Sequence, residues 1–243
     1  MKIQVLILVF GITSISSNLL LSQKKEPLFS KFKIGVNGSL DWGYRRLNTH
    51  GNSEEEAFKE YRNEVEFGSI GYSYGVSLFY SLSQKWSLET GAILSVKGCD
   101  GLGSVNPSGN YVGNPSNENG TQSFFYYNYI DFPIKVIYKF KETKMNPFIS
   151  LGGIMNYFQA SEFRTVNTYP DGSITDKSNT DEGRIYNPLV VSLVLSAGVN
   201  YEVKKHITVR VEPLFRYGLM SIVKDPINEN LYSVGLKVGL LFN

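Results

Sequence analysis

The sequence predicts an all-β protein, an eight-stranded antiparallel up-and-down transmembrane β-barrel. Three observations lead to this prediction. Apolar and polar residues alternate with a period of two in eight stretches, short and long connections follow one another between them, and charged and small residues share the face opposite the apolar one. Composition agrees, since 16 Tyr, 15 Phe and 23 Gly among 243 residues fit a sheet with aromatic girdles and a crowded interior.

The first residues are typical of an export signal. Lys2 precedes an apolar run, and Ser22 precedes Gln23, which predicts a cleaved signal peptide over 1–22 and a barrel domain over 23–243. Polar residues interrupt the apolar run before it reaches the roughly 20 residues that a membrane helix needs. No later stretch is apolar for that length, so membrane spanning would require strands. The single cysteine, Cys99, is expected to be a free thiol near the start of a loop.

Each period-two stretch is interpreted as one strand. The predicted strands cover 31–45, 68–82, 86–98, 124–140, 148–159, 189–203, 207–220 and 231–242. Pro133 and Pro213 fall inside strands. Because proline lacks a backbone N–H donor, we expect a bulge or a break in pairing at both positions.

The connections predict which way the barrel is inserted. Links after the second, fourth and sixth strands are short, while those after the first, third and fifth are long. All short turns therefore lie on one rim and the long loops on the other. In a bacterial outer membrane the short turns face the periplasm, so both mature termini are predicted to be periplasmic and the long loops extracellular.

The polar face carries the candidate site. Its charged residues, seven basic and five acidic, are Lys33, Asp41, Arg45, Glu89, Lys97, Asp131, Lys135, Glu202, Arg210, Glu212, Arg216 and Lys237. A soluble lipocalin-like lipid binder would show the same alternation with its apolar face inside. Glycines on the charged face and aromatic residues near the strand ends favour lipid outside. Since an eight-stranded interior is just wide enough for side chains, the charges are predicted to form an ion-pair network that plugs the lumen. A small porin-like channel is the alternative.

Other functional classes find little support in the sequence. His50 and His206, the two histidines, lie on opposite rims, and no G-x-S-x-G motif is present, so we predict no catalytic residues and no enzyme. We also predict no cofactor and no metal. The acidic run Glu54 to Glu56 in the first long loop is typical of a solvated surface, and the acidic residues of the third long loop, Asp171, Asp176, Asp181 and Glu182, lack EF-hand spacing. A net charge of +2 without a basic stripe argues against nucleic acid. A monomeric surface-binding or envelope-assembly protein remains, with outer-membrane lipids, lipopolysaccharide or another envelope or secretion protein as candidate partners.

Four segments resemble a known family. They are YIDFPIKVIYKF at 129–140, NPFISLGGIMNYF at 146–158, VEPLFRYGL at 211–219 and the closing YSVGLKVGLLF. In these segments the chain resembles the PorT-like outer-membrane β-barrel proteins of Gram-negative bacteria. The resemblance implies a barrel of about eight strands in the outer membrane, with some members linked to protein secretion or surface functions. It implies no cofactor and no catalytic residue.

Overall fold

The structure is a computed structural model. It describes residues 31–49, 51, 53–102, 120–140, 144–180 and 185–242. The predicted signal peptide and His50 lie outside the described residues, so those predictions stay untested.

Nine strands and one helix form the described part of the chain. They are β1 (Phe32–Asn48), α1 (Ser53–Val65), β2 (Glu66–Ser81), β3 (Trp86–Leu102), β4 (Gly120–Lys139), β5 (Met145–Thr168), β6 (Ile174–Thr180), β7 (Leu189–Lys204), β8 (Ile207–Gly218) and β9 (Asn228–Phe242). Every pairing is antiparallel, and eight strands close a ring in the order β1-β2-β3-β4-β5-β7-β8-β9, with β9 paired to β1. The predicted eight-stranded barrel is confirmed.

The apolar face points outward and the charged face inward. In β1, Ile34, Leu40 and Trp42 are 59%, 66% and 51% exposed, whereas Asp41 and Arg45 on the opposite face are 7% and 1% exposed. The other strands of the ring follow the same rule. This orientation contradicts the lipocalin-like alternative, since such a barrel would line its interior with apolar side chains.

The two strand prolines interrupt pairing as predicted. The ladder between β3 and β4 skips Pro133, and the ladder between β7 and β8 skips Pro213. On its other side each proline keeps register, with Pro133 opposite Ile154 and Pro213 opposite Leu236. One neighbouring strand therefore loses a hydrogen bond at each position, and the other holds the strand in the barrel wall.

Two long connections are more ordered than predicted. The first contains α1, and the third is largely a hairpin in which β5 continues to Thr168 and pairs with β6. The hairpin turn includes Gly172, whose φ of 81° lies in the left-handed region that favours glycine. The prediction that β5 ends near residue 159 was wrong. No helix in the described ranges is long and apolar enough to cross a membrane.

Candidate functional site

The charged residues of the lumen fall into three layers, named here from the short-turn rim towards the long-loop rim. The lower layer consists of Glu89, Lys135, Arg210, Glu212 and Lys237. The middle layer consists of Asp41, Lys97, Asp131 and Arg216. The upper layer consists of Arg45, Arg62, Glu66 and Glu229.

The lower layer spans the barrel as a ring of alternating charges. The Lys135 Nζ lies 2.7 Å from Glu89 Oε2 and 2.7 Å from Glu212 Oε1. The Lys237 Nζ lies 2.8 Å from Glu89 Oε1 and 2.9 Å from Glu212 Oε2. Glu89 and Lys135 come from β3 and β4, and Glu212 and Lys237 from the opposite wall, β8 and β9. The ring therefore links the two walls through the centre of the lumen.

Arg210 closes the lower layer towards the short-turn rim. Its guanidinium carbon lies 4.6 Å from the ring centre of Phe79 and 4.2 Å from that of Phe148, within the range of a cation–π contact. Its Nε donates to Asn200 Oδ1 at 2.8 Å, and its Nη1 lies 3.2 Å from Glu89 Oε2. Phe79 and Phe148 pack with Ile137 and Leu241 into a buried apolar cluster. The lower layer thus lies against apolar side chains.

The middle layer is made of two separate ion pairs. Arg216 Nη1 lies 2.7 Å from Asp41 Oδ2, and Lys97 Nζ lies 3.0 Å from Asp131 Oδ2. Asp131 also accepts hydrogen bonds from Asn156 Nδ2 and Ser95 Oγ, and Asp41 accepts one from Ser39 Oγ. Beside this layer lies a cavity of about 30 Å³, which is enough for one or two waters.

The upper layer alternates two arginines with two carboxylates. Arg45 Nε donates to Glu66 Oε2 at 2.7 Å, and its Nη1 lies 2.9 Å from Glu229 Oε2. Arg62 Nε lies 3.0 Å from Glu66 Oε1, and its Nη1 lies 2.8 Å from Glu229 Oε1. All four side chains are buried. Because Arg62 belongs to α1, the layer fastens the helix to the mouth of the barrel.

Apolar side chains surround the upper layer at the long-loop rim. The buried cluster contains Phe125, Tyr127, Ile222 and Val223. Ile222 and Val223 belong to the connection between β8 and β9, where Asn187 donates its backbone N–H to the Ile222 carbonyl. Cys99, a free thiol, is fully buried in the same cluster. It lies inside β3 rather than at the start of a loop, which corrects its predicted position.

The structure brings ten of the twelve predicted charged residues into these layers and leaves two outside them. Lys33 and Glu202 line a separate cavity of about 100 Å³ at the short-turn rim. Glu202 is exposed, because it lies at the end of β7, where a bulge precedes the turn into β8. The prediction that Lys33 and Glu202 belong to the buried network was wrong.

Three members of the upper layer were not predicted. Arg62 lies on the helix that the sequence analysis did not identify. Glu66 escaped because the pairing of β2 with β3 shifts register between Gly68 and Tyr72, which breaks the alternation. Glu229 carried a usable signal, since it has the same parity in β9 as the inward-facing Lys237.

The acidic residues considered as cation ligands have other roles. Glu54, Glu55 and Glu56 occupy the first turn of α1, where the helix dipole favours negative charge. Hydrogen bonds from Lys59 and Thr49 lower the pKa of Glu56. Within the described residues, no group of three or more His, Cys, Asp or Glu side chains could hold a metal ion.

The carboxylates of the third long connection are also used locally. Asp171 accepts hydrogen bonds from the hydroxyl and the backbone N–H of Ser173, which lower its pKa. Asp176 forms a two-point contact with Arg164, with Nε and Nη2 lying 2.9 Å and 2.6 Å from its two oxygens. Asp181 and Glu182, also considered for calcium, lie outside the described residues.

Comparison with known proteins gives the following similarities. The family model for the outer membrane protein beta-barrel domain matches residues 21–224. The solved structure of neisserial surface protein A is 14% identical, with 87% of this chain and 96% of that chain covered and a TM-score of 0.43. OprG from Pseudomonas aeruginosa is 11% identical, with 87% of this chain and 95% of that chain covered and a TM-score of 0.47. Ail from Yersinia pestis is 12% identical, with 87% of this chain and 99% of that chain covered and a TM-score of 0.35. No curated protein sequence matches the chain.

Proposed function

Because the chain belongs to the outer membrane protein β-barrel domain family, we propose that it is a closed, non-enzymatic barrel whose long-loop rim binds another envelope component. The observation that carries this proposal is the lower layer. There Glu89, Lys135, Glu212 and Lys237 join opposite walls across the centre of the lumen.

The energetics of the layers support a closed lumen. Each carboxylate of the lower layer lies within 2.9 Å of both lysines. Removing one partner of a buried ion pair costs about 3–5 kcal/mol, because the remaining charge is left uncompensated. A continuous water path would have to disrupt several such contacts and also pass the apolar clusters at both ends of the lumen. The porin-like alternative is therefore the less favoured one.

The complete pairing of these carboxylates also supports a role without catalysis. A general acid, base or nucleophile needs a side chain that can reach a substrate. In the lower layer the carboxylates are buried and already engaged with lysine and serine donors, such as Ser196 Oγ at 2.6 Å from Glu212 Oε1. The role that we propose for these residues is therefore structural rather than catalytic.

The long-loop rim offers a built surface for a partner. The β4–β5–β6 arm, formed by residues 120–128, 160–168 and 174–180, extends β4 and β5 beyond the level where β7 begins at Leu189. On one face of this arm the rings of Phe124 and Tyr126 are nearly parallel, with their centres 6.4 Å apart. The Arg164 guanidinium carbon lies 5.7 Å from the Phe124 ring centre. Rigid aromatic side chains beside an arginine are favourable binding elements.

The proposed orientation places this arm outside the cell, with the short turns and both mature termini in the periplasm. Candidate partners are lipopolysaccharide, another outer-membrane lipid, or an envelope or secretion protein. The segments 129–140, 146–158 and 211–219 lead us to place the chain among the PorT-like proteins within the broader family.

Planar-bilayer recording tests the closed lumen. The refolded protein should show no stable single-channel steps. A variant in which Glu89, Lys135, Glu212 and Lys237 are all replaced by alanine removes two charges of each sign and should conduct. Heat-modifiable gel mobility is the folding control for both proteins. Large, stable conductance from the wild-type protein would contradict the proposal.

Site-specific photo-crosslinking in the outer membrane tests the binding rim. A photoreactive residue at Lys177, on the exposed arm, should give adducts with another envelope component. The matched control is the same residue at Lys205, exposed on the opposite rim. Adducts at Lys205 but not at Lys177 would place the interaction on the short-turn rim and reject the proposed surface.

A further inference from the structure

A second cavity at the short-turn rim has the character of a binding site that the closed barrel itself does not need. It has a volume of about 100 Å³, several times what one water occupies, and is lined by side chains from all eight strands of the ring together with Lys144, which directly precedes β5. We propose that this cavity binds a phosphate-sized oxyanion, either free or as the terminal group of a small organic phosphate.

The charge of the cavity favours an anion. Lys33, Lys139, Lys144 and Arg210 line it, and Glu202 is the carboxylate found among the lining residues that the structure describes. Among the described residues, neither Lys33 nor Lys144 has a carboxylate at ion-pair distance, and Glu202, which acts on Lys33 from farther away, is itself exposed. A cationic ligand would be repelled by this lining.

Arg210 supplies a fixed donor at the inner end of the cavity. The rings of Phe79 and Phe148 hold its guanidinium from two sides, its Nε is engaged by Asn200, and its Nη1 lies 3.2 Å from Glu89 Oε2 in the lower layer. Its orientation is therefore set before any ligand arrives. A preorganised guanidinium loses little side-chain freedom when it binds an oxyanion.

A buried hydroxyl points to a missing partner. Ser87 is 3% exposed and lines the cavity, and among the residues that the structure describes its Oγ has no hydrogen-bond partner. The Asn146 Oδ1, also on the lining, is likewise buried without a partner. Buried polar groups are nearly always hydrogen-bonded. A protonated phosphate could accept a hydrogen bond from Ser87 and donate one to Asn146, whereas a halide could only accept.

Phosphate binding by the full chain tests the proposal directly. The protein would be refolded into nanodiscs of zwitterionic lipid and titrated with inorganic phosphate by calorimetry at low ionic strength, where charge contacts are least screened. Lys33→Gln and Lys144→Gln should each weaken binding about tenfold, the loss expected for one charge-assisted hydrogen bond. Ser87→Ala keeps every charge and should weaken binding about threefold, the loss expected for one neutral hydrogen bond.

Two lysines on the same rim provide matched controls. Lys85 and Lys205 are exposed and do not line the cavity, so Lys85→Gln and Lys205→Gln should leave the affinity unchanged. An equal loss in these controls would show that diffuse rim charge attracts phosphate and would overturn the site. Absence of saturable binding would overturn it as well.

The source of the phosphate group is decided by a second titration, with glycerol 3-phosphate in the same nanodiscs. If it binds at least as tightly as inorganic phosphate, the ligand is the terminal group of a small organic phosphate. If it binds more weakly, the ligand is free phosphate. Heat-modifiable mobility must be retained by every variant, and Ser87→Ala keeps the test decisive should a lysine variant fail to fold.

Discussion

The lower and upper layers are two solutions to the same problem of burying charge in a narrow barrel. Both alternate carboxylates with cations, and both bury every member. The lower layer takes all its residues from strands of the closed ring, whereas the upper layer takes Arg62 from α1, in a connection between strands. A similar network can therefore join strands of the barrel wall or attach a helix from a connecting segment to that wall.

This difference has consequences for local stability. The strands of the lower layer can separate only if the barrel itself opens. The helix α1 is held by the two contacts of Arg62 and by partly buried apolar side chains such as Tyr61 and Val65. Segments with few buried contacts open at lower free energy than the surrounding fold. We therefore expect α1 to detach well before the barrel unfolds.

The largest effect is expected from Glu89→Gln in the lower layer. The substitution leaves Lys135, Arg210 and Lys237 with one remaining carboxylate, Glu212. Loss of one partner from a buried charge network should reduce the free energy of unfolding by about 3–5 kcal/mol, measured by urea titration in lipid vesicles. The control is Glu202→Gln, an exposed carboxylate on the short-turn rim, which should change stability by less than about 0.5 kcal/mol. Equal effects in both variants would contradict a special role for the lower layer.

A smaller effect is expected from Arg62→Met in the upper layer. Because α1 can swing into water after the contacts to Glu66 and Glu229 are lost, the cost should be limited to about 1–3 kcal/mol. Cleavage of α1 by a glutamate-specific protease should accelerate while the barrel keeps its heat-modifiable mobility. Lys59→Met, on the same helix but paired with Glu56 near the surface, should leave the cleavage rate close to wild type. Barrel unfolding in step with α1 cleavage would contradict the proposed independence of the helix.

The contrast between the layers also explains what could be predicted from the sequence. Glu89, Lys135, Glu212 and Lys237 follow the period-two alternation of uninterrupted strands, so their inward direction is fixed by the pleat. The distances between them were not predictable, because they depend on which walls face one another after closure. Alternation therefore predicts the membership of a layer but not its contacts.

The upper layer was not predicted from the sequence because it depends on local exceptions to that alternation. The bulge between Gly68 and Tyr72 changes which face Glu66 joins. The helix carried a weak signal in Ser53 and Glu56, which have the spacing of a capping box. Its polar sequence offered no apolar stripe that would have marked it as a helix.

The hairpin of the third long connection had a clearer signal. Pro170, Asp171 and Gly172 form a turn sequence, and β5 and β6 flank it. Composition alone led to the prediction of a loop, because the flanking residues are polar and lack apolar alternation. Strands that stand beyond the membrane are stabilised by backbone pairing and local side-chain contacts, so hydropathy does not reveal them.

The middle layer allows a test of whether the Asp41–Arg216 ion pair needs a glycine on the neighbouring strand. A Cβ atom at Gly235 would collide with the Asp41 carboxylate, which pairs with Arg216. Gly235→Ala should therefore destabilise the barrel by about 1–3 kcal/mol through overpacking. The control is Gly153→Ala, where an added Cβ would meet its nearest atom, the Ser192 carbonyl oxygen, at 3.8 Å. Urea titration should show a clear loss for the first variant and little change for the second; the reverse order would reject the steric argument.

The smallest effect is expected in the β4–β5–β6 arm, where an exposed pair contrasts with both buried layers. The hydrogen bonds from Arg164 lower the pKa of Asp176. Since the folded-state pKa is depressed, the pair stabilises the arm above the usual aspartate pKa of about 3.9, and this contribution is lost as the pH falls through the lower folded value. A carboxyl-carbon NMR titration should show the Asp176 midpoint return towards its ordinary value in Arg164→Gln. Asp171, whose pKa is lowered by Ser173 instead, should keep its midpoint, and a parallel shift of both would show that the hairpin had unfolded rather than lost one ion pair.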